Sequence, residues 1–527
     1  MKAAIWFILL PVLAAAAPPP RPPSLPFESP ARFEPRGPVD QLVSTRWKQV
    51  GIEPPYLCSD GVFLRRVYLD VIGTLPSPEE AAQFLKDEDP NKRAALIDRL
   101  LARDEFADFW ALKWSDLLRV KSEFPVNLWP DAVQAYYRWI HTSLRSNLPY
   151  DQFARKMLVS NGSNFRDPEV NFYRAVPSKD PRGIAQAVAL TFMGARAENW
   201  PKERLDGLAA FFSQVGYKST GEWKEEIVYF DPQKKAPGAA AVFPDGKPAR
   251  IAAGQDPREV FAAWLTAPGN PWFARNIVNR VWFWLAGRGI IQEPDDIRPD
   301  NPPVNPELLT YLERELVTSQ FDLKHIYRVI LNSQAYQVSA IPVTQGADAR
   351  RPDPSAFAFY PLRRLDAETL IDAICQITGT TEEYSSAIPE PFTFLPEGQR
   401  AIAVPDGSVS SAFLDMFGRS PRDSGRESER NNNPTAEQSL HLLNSSHIQQ
   451  KIQQSAKLRL LIQAQQGGKP RDPLDRIYLA VLSRYPTDEE LKTASAYVQS
   501  MPANNRWPGV VDLTWALINS AEFLYRH

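Results

Sequence analysis

Cysteine is scarce in this sequence of 527 residues, which contains only Cys58 and Cys375. Two thiols exclude the disulfide framework that stabilises small secreted proteins, and a chain of this size does not need one. They also exclude the C-x-x-C-H sequence that attaches c-type haem. The two cysteines lie in unrelated contexts, a polar loop and a helical stretch, so one bridge and two free thiols both remain open.

Charge of one sign is not in excess, because 60 basic residues nearly balance 62 acidic ones and leave a net charge of -2. A pI of about 6.3 offers no electrostatic basis for binding nucleic acid. Apolar residues make up 43% and charged residues 23%, which is typical of a globular protein. The length allows roughly two to four domains.

Catalytic signatures are also missing. The sequence contains no G-x-S-x-G, no P-loop, no G-x-G-x-x-G and no H-E-x-x-H. Two of its five histidines, His441 and His447, are close in sequence, but their spacing places them on different faces of a continuous helix. They are therefore a poor metal pair. The 14 tryptophans indicate either a large core or aromatic-lined sites, and the core is favoured.

The apolar run near the N-terminus is too short to span a membrane, because small residues and prolines follow residues 3–13 at once. Lys2, this short run and Ala15-Ala16-Ala17 have the order of a signal peptide at residues 1–17. No cysteine follows, which argues against a lipid anchor. We therefore expect an exported mature protein, periplasmic or extracellular, without a membrane span. An uncleaved anchor helix is the alternative.

Periodic apolar residues predict a mainly α-helical fold, with two helical domains and a small β-containing insert between them. Residues 18–38 are rich in proline and predict a linker. The first helical domain is expected at 39–213, the insert at 214–254 with strands at 225–230 and 249–253, and the second helical domain at 255–527.

Residues 270–337 form the best specified stretch. Gly287, a left-handed cap, ends the first of its three helical patterns. Asn305-Pro306, an N-cap followed by proline, begins the second, and Asp322 begins the third. A proline-stiffened loop between the first two helices carries the carboxylates of Asp295, Asp296 and Asp300. Hard oxygen ligands of this kind suit calcium, although the spacing is not that of an EF-hand. Ion pairs with Arg298 and Arg280 are the favoured alternative.

A second charged cluster, RSPRDSGRESER, occupies residues 419–430. It predicts a solvated or interdomain loop. As a functional alternative, Arg422, Arg426 and Arg430 could bind an anionic group, because guanidinium groups form paired hydrogen bonds with oxyanions. No catalytic residue and no metal ligand is assigned. The candidate binding residues are Arg280, Asp295, Asp296, Asp300, Arg422 and Arg430.

One internal similarity links the two ends of the chain. RVYLDV at 66–71 returns as RIYLAV at 476–481, and each copy is followed by a proline turn and paired glutamates. Two copies are too few for a solenoid. The similarity predicts two related helical units that pack together.

Several long stretches resemble a pair of planctomycete domains of unknown function. The first, the cytochrome-c-associated PSCyt-type domain, is similar to FLRRVYLDVIGTLPSPEEAAQFL, LIDRLLARDEFADFWALKWSDLLR and LPYDQFARKML. Its usual partner, the PSD-type domain, is similar to NPWFARNIVNRVWFWLAGRGIIQEPDDIRPDNPPVNPELLTYL, FDLKHIYRVILNSQAYQ and PLRRLDAETLIDAI. The resemblance covers nearly all of the mature chain and implies no known activity.

Two cysteine motifs of that family are missing. Relatives typically carry C-x-x-C-H where this chain has residues 197–206, and they tend to carry C-x-C where it has Arg426-Glu427-Ser428. Their joint absence leads to the hypothesis that both motifs form one metal or redox site in relatives, and that this chain has lost it. The hypothesis requires the two segments to lie close together. Haem c is therefore not expected as a cofactor.

These observations favour an exported, non-catalytic protein that binds or assembles at the cell surface or in the periplasm. Its partner is expected to be another exported protein or a polysaccharide. The alternative is a hydrolase of exported polysaccharide that uses Asp295 or Asp296 among tryptophans. Two carboxyl groups at glycosidase separations in a Trp-lined cleft would favour the hydrolase, whereas acids held by arginines would favour binding. The lack of a thiol pair to attach haem argues against a third function, a haem electron carrier.

Overall fold

The protein is mainly α-helical, as predicted: the computed structural model has 52% of its residues in helices and 6% in strands. It describes residues 22–234, 240–343, 351–463, 472–502 and 505–527. The expected signal peptide lies outside these residues, so export stays a prediction. Within the described ranges, every helix is too short or too polar to cross a membrane.

Helices follow one another along the chain with short connections. The N-terminal group comprises α1 (Pro38–Val50), α2 (Asp60–Val71), α3 (Pro78–Lys86), α4 (Lys92–Ala102), α5 (Asp104–Leu117), α6 (Pro130–Arg145), α7 (Tyr150–Leu158), α8 (Asn171–Arg174), α9 (Pro181–Met193) and α10 (Lys202–Ala209). The middle group comprises α11 (Pro257–Leu265), α12 (Phe273–Ala286), α13 (Pro306–Thr318) and α14 (Leu323–Leu331). The C-terminal group comprises α15 (Ala367–Thr378), α16 (Ala412–Met416), α17 (Ala436–Asn444), α18 (Ser446–Gln453), α19 (Ala456–Gln463), α20 (Asp472–Leu482), α21 (Asp488–Ser500), α22 (Trp507–Ile518) and α23 (Ala521–Leu524).

The strands of the described residues are short and form small antiparallel sheets. They are β1 (Glu28–Arg32), β2 (Tyr56–Cys58), β3 (Gly162–Ser163), β4 (Val215–Ser219), β5 (Glu226–Phe230), β6 (Arg363–Arg364) and β7 (Tyr525–Arg526). β1 pairs with β2, β6 pairs with β7, and the middle sheet has the order β3-β5-β4. β5 matches the strand expected at 225–230. The strand expected at 249–253 does not form: among the described residues this segment makes only the isolated bridge between Val242 and Pro248, with the Ala249 N–H donating to the Ala241 carbonyl.

The three-helix unit at 270–337 forms as predicted, with its ends fixed by local caps. α12 ends at Ala286, and the residue that caps it, Gly287, has a left-handed φ of 76°. The Asn305 side chain accepts a hydrogen bond from the Leu308 N–H and so begins α13. The Asp322 side chain caps α14 by accepting from a backbone N–H at 3.0 Å. The stiff acidic loop between α12 and α13 is therefore held at both ends.

Two hydrophobic cores stabilise the molecule. The larger core combines the N-terminal helices with α11–α14, and Trp110, Trp114 and Trp282 are buried in it. The smaller core joins the C-terminal helices to Leu69 and Leu75 of the N-terminal group. Burial of these large rings supports the core interpretation of the tryptophans. The N-terminal helices and α11–α14 therefore share one core, and the C-terminal helices build a second core onto the N-terminal group through Leu69 and Leu75.

The internal similarity corresponds to two related helical units that touch. In each unit a helix and a proline turn precede a helix with a capping box, formed by Ser77 with Glu80 in one and Thr487 with Glu490 in the other. The units meet where the Arg65 guanidinium donates to the Val481 carbonyl at 2.8 Å. The predicted packing of the two ends is confirmed.

The proline-rich segment is more than a linker. Its residues 28–32 form β1, which pairs with β2, and Phe33 behind it is buried. An edge strand tolerates proline because one side of its backbone needs no partner, and Pro30 lies in such a strand. The interpretation of residues 28–33 as an unfolded linker was therefore wrong.

The expectation for His441 and His447 was also wrong. α17 ends at Asn444, and the Ser445 side chain caps a new helix, so the two residues do not share a continuous helix. Their ring centroids lie 5.8 Å apart. The Nε2 atom of His447 lies 3.0 Å from Glu382 Oε2, which gives this ring a carboxylate partner.

Cys58 and Cys375 are both free thiols. Cys58 is buried in β2, whereas Cys375 is half-buried in α15. Burial raises the pKa of the Cys375 thiol. The open question of one bridge or two free thiols is thus answered by the second alternative.

Candidate functional site

Arg280 and Asp295 form a buried ion pair between α12 and the loop that follows it. The Arg280 Nη2 atom donates to Asp295 Oδ1 at 2.7 Å, and the side chains are 1% and 2% exposed. The second carboxylate oxygen accepts from the Glu427 backbone N–H at 2.7 Å. Asp295 therefore has both oxygens engaged and is not free to act on a ligand.

Glu427 is a second carboxylate beside Arg280, and it comes from the arginine-rich stretch 419–430. Its side chain accepts from the Trp284 Nε1–H at 3.0 Å and lies 3.3 Å from the Arg280 Nη1 atom. Burial raises the pKa of Glu427, and the Arg280 charge opposes that rise. One arginine thus serves two carboxylates from different segments of the chain.

Arg422 and Arg430 share a different acid, Asp116 on α5. The Arg422 Nε–H donates to one oxygen of Asp116 at 3.0 Å, and the Arg430 Nη2–H donates to the other at 2.7 Å. Arg430 also donates to Glu368 at 2.6 Å. The arginine-rich stretch 419–430 therefore contacts the N-terminal helices, which agrees with the prediction of an interdomain loop. The guanidinium groups of Arg422 and Arg430 pair with protein carboxylates.

Asp366 is the centre of a further group of charges that the sequence did not single out. It accepts from the Lys113 ammonium at 2.9 Å, from Arg526 at 3.0 Å and from the Asn432 amide at 2.6 Å. Burial would raise the pKa of Asp366, but the charges of Lys113, Arg526 and Arg430 outweigh it and hold the pKa well below its ordinary value. Asp366 is therefore a buried carboxylate.

Asp70 on α2 lies between two arginines of the β6–β7 sheet. Arg363 and Arg526 are directly opposite each other in that sheet, where like charges repel. Asp70 Oδ1 lies 3.4 Å from Arg363 and 3.5 Å from Arg526, so one carboxylate separates the two cations. Asp70 also accepts from the hydroxyl groups of Tyr336 and Tyr360 at 2.9 and 2.8 Å.

These charges surround a cavity of about 120 Å³, which we call the seam cavity. Its walls combine α2, α5, the end of α12, β6, the 427–432 segment and β7. The ionisable side chains that line it are Lys113, Arg363, Arg364, Arg430 and Arg526, with Asp70, Asp366 and Glu427. Of the predicted residues only Arg430 lines the cavity, whereas Arg280, Asp295 and Arg422 support its wall. The sequence signal that was missed is a charge inside an apolar helix, as in FLRRVYLDV and FWALKWSDL.

Asp296 and Asp300 are separated from this network. Both pair with Arg298, whose Nε and Nη1 atoms donate at 3.0 and 2.7 Å. Asp300 is 72% exposed, whereas Asp295 is buried and pairs elsewhere. The three acids of the loop do not converge on one point. The contacts match the ion pairs that were favoured over calcium.

Asp296 and Asp300 instead lie on the rim of a wider cleft of about 820 Å³. One wall is the 196–204 segment, which includes the start of α10. The other wall is the 291–303 loop together with the start of α12. Two half-buried indole rings line the cleft, those of Trp200 and Trp272. We call it the tryptophan cleft.

Arg204 is the distinctive charge of the tryptophan cleft. Its guanidinium lies 4.0 Å from the centre of the Trp200 ring, and its Nε–H donates to the Pro244 carbonyl at 3.1 Å. Burial lowers the pKa of Arg204. The other arginines of the cleft pair with acids, but no carboxylate of the described residues pairs with Arg204.

The two segments that replace the cysteine motifs lie close together. The Arg426 Nη2 atom donates to Glu198 Oε1 at 2.7 Å, which joins the 197–206 segment to the 426–428 segment. The hypothesis that the two cysteine motifs form one site in relatives requires these segments to be close together, and this contact meets that requirement. Among the described residues of this chain, no three His, Cys, Asp or Glu side chains are grouped as metal ligands would be.

Two family models match the chain in succession. Residues 38–207 match PSCyt2, a protein of unknown function (DUF1549), and residues 257–498 match PSD1, also a protein of unknown function (DUF1553). This chain carries the paired PSCyt2 and PSD1 domains. The resemblance inferred from the sequence motifs is thereby confirmed. No curated protein and no solved structure is detectably similar to the chain.

Both cavities lie between the two domains. In the tryptophan cleft, the 196–204 segment belongs to PSCyt2, whereas the 291–303 loop belongs to PSD1. In the seam cavity, Lys113 comes from PSCyt2 and Asp366 from PSD1. Each candidate site therefore requires the PSCyt2–PSD1 pair.

Proposed function

We propose that this PSCyt2–PSD1 protein is an exported, non-catalytic protein that binds an acidic polysaccharide in the tryptophan cleft. The observation that carries the proposal is the Arg204 guanidinium, which is stacked on Trp200 and has no carboxylate partner among the described residues. A positive charge held beside a flat indole ring suits a sugar ring that bears an anionic group.

The size and lining of the cleft support a polymeric sugar ligand. A volume of about 820 Å³ falls within the roughly 300–1,000 Å³ of most small-molecule sites. Trp200 and Trp272 offer apolar ring faces, while Asn199 in the same lining offers an amide group for hydroxyls. Aromatic faces combined with a few polar groups are typical of ligand sites.

The pairing of the acids favours binding over hydrolysis. A glycosidase needs one carboxyl group to donate a proton and another to act as nucleophile or base. Asp296 and Asp300 are both occupied by Arg298, and Asp295 is buried behind the loop. The arrangement is the one that we expected of a binding protein.

The test is affinity gel electrophoresis of the mature protein in gels that contain dextran, alginate or dextran sulfate. We expect alginate or dextran sulfate to retard the protein and dextran to have no effect. Trp200→Ala and Arg204→Gln should each weaken binding by roughly 30-fold or more, the effect of removing a binding hot spot. Trp223→Ala is the matched control, because this exposed tryptophan does not line the cleft.

Two results would contradict the proposal. One is equal retardation of the wild type and the Trp200→Ala and Arg204→Gln variants. The other is the release of new reducing ends from the bound polysaccharide, abolished by Asp296→Asn, which would favour the hydrolase instead.

A further inference from the structure

The seam cavity has an excess of positive charge. Five basic side chains line it against three carboxylates. Arg430 is balanced by Glu368 and Asp116 behind the wall, so Arg364 is the lining cation that lacks a carboxylate partner among the described residues. Burial of a charge without a counter-charge is costly, so the cavity favours an anionic ligand beside Arg364. This charge balance differs from that of the whole chain, whose net charge is -2.

The three carboxylates are already engaged by protein donors. Asp366 accepts from Lys113, Arg526 and Asn432, and Asp70 accepts from two tyrosine hydroxyls while it separates two arginines. Glu427 accepts from Trp284 and Arg280. All three carboxylates therefore already have protein donors, and none of them pairs with Arg364.

Arg364 is the clearest unused charge of the cavity. It is 6% exposed and donates to the side-chain oxygen of Gln438, and no carboxylate in the described part of the chain pairs with it. Its Nε atom is buried without an acceptor in that part, and the same is true of Arg363, Arg430 and Arg526.

We propose that the seam cavity binds a small tetrahedral oxyanion, phosphate or sulfate, either as the free ion or as the end group of a larger molecule. The cavity of about 120 Å³ exceeds the roughly 10–15 Å³ that one water needs and is smaller than the roughly 300–1,000 Å³ of most ligand pockets. Guanidinium groups from several directions match the oxygens of a tetrahedral anion.

The test is isothermal titration calorimetry of the full chain with sodium phosphate and sodium sulfate at constant ionic strength, with sodium chloride as the comparison. We expect phosphate or sulfate to give a heat of binding, and chloride to give no heat beyond that of dilution. Arg364→Gln should weaken binding by about 10-fold or more, because a hydrogen bond to a charged group is lost. Glu427→Gln should tighten binding, because it removes a negative charge from the wall.

Arg419→Gln is the control, because Arg419 lies in the 419–430 stretch with Glu427 and Arg430, pairs with Asp415 and does not line the cavity. Phosphate that binds no better than chloride would overturn the proposal, as would unchanged affinity in Arg364→Gln. If Arg364→Gln does not fold, unchanged or weaker binding by Glu427→Gln overturns it instead.

Phenyl phosphate separates the two sources of the oxyanion. Binding as tight as that of phosphate supports an end group on a larger molecule, and exclusion supports the free ion. The residues tested in the tryptophan cleft, Trp200 and Arg204, do not line the seam cavity. The failure of one proposal is therefore distinguishable from the failure of the other.

Discussion

Replacing Asp295 by asparagine separates a structural role of this residue from a catalytic one. The carboxylate accepts from the Arg280 guanidinium with one oxygen and from the Glu427 backbone N–H with the other, each at 2.7 Å. An asparagine side chain has only one oxygen, so its NH₂ group must face a donor. The Asp295→Asn variant therefore loses a hydrogen bond and leaves Arg280 with Glu427 as its remaining carboxylate.

The expected loss is about 3–5 kcal/mol in the free energy of unfolding, the usual cost of removing one partner from a buried ion pair. The neighbouring residue supplies a matched control. Asp296 pairs with Arg298, whose side chain is 53% exposed, and exposed pairs contribute at most about 1 kcal/mol. Asp296→Asn should therefore have a small effect on stability.

The two variants are compared by guanidinium chloride denaturation followed by tryptophan fluorescence, with the midpoint and the slope fitted separately. Asp295→Asn should move the midpoint strongly, and both variants should still bind polysaccharide. Equal stability of the two variants would refute the assigned role of the Arg280–Asp295 pair. Loss of polysaccharide binding in a stable Asp295→Asn protein would show that Asp295 contacts the ligand.

Two further predictions concern the related helical units. Ser77→Ala and Thr487→Ala should each destabilise the protein by about 1 kcal/mol, because each removes one half of a capping box. The midpoints of chemical denaturation measure this loss. An effect at only one of the two positions would contradict the equivalence of the two helical units. Hydrogen bonds from Arg484 lower the pKa of Glu490 from 4.5 to about 2. Because the pKa of Glu490 is lower in the folded state than in the unfolded state, its ionised form stabilises the fold at pH values above 4.5. This stabilisation is lost as the pH falls from 4.5 towards about 2. Glu490→Gln should flatten the stability profile there, and an unchanged acid slope would contradict the pairing.

Features that depend on neighbouring residues were predictable from the sequence. The caps at Asn305 and Asp322 and the left-handed Gly287 act within one helical turn, so their residue types located the three-helix unit. The internal similarity likewise marked two capping boxes.

The candidate sites were only partly predictable, because they join distant parts of the chain. Arg422, Arg430 and the loop aspartates were noticed for their local density of charge. Asp70 and Asp366 were not noticed, since each is one acid in an otherwise apolar helical stretch or its cap. Tyr360 contacts Asp70 across 290 residues of sequence, and periodicity carries no information on such pairs. Which charges pair could therefore not be predicted without the fold.

The charges at the domain interface also bear on what the paired domains are for. Buried ion pairs are weak contributors to stability, because desolvation offsets most of their attraction. An apolar interface would hold PSCyt2 and PSD1 together at least as well as the network around Asp116 and Asp366 does. What the charges supply is a polar cavity and a cleft whose walls come from different domains. Because neither domain supplies the whole wall of the cavity or the cleft, the PSCyt2–PSD1 pair is the smallest unit in which either proposal can be tested.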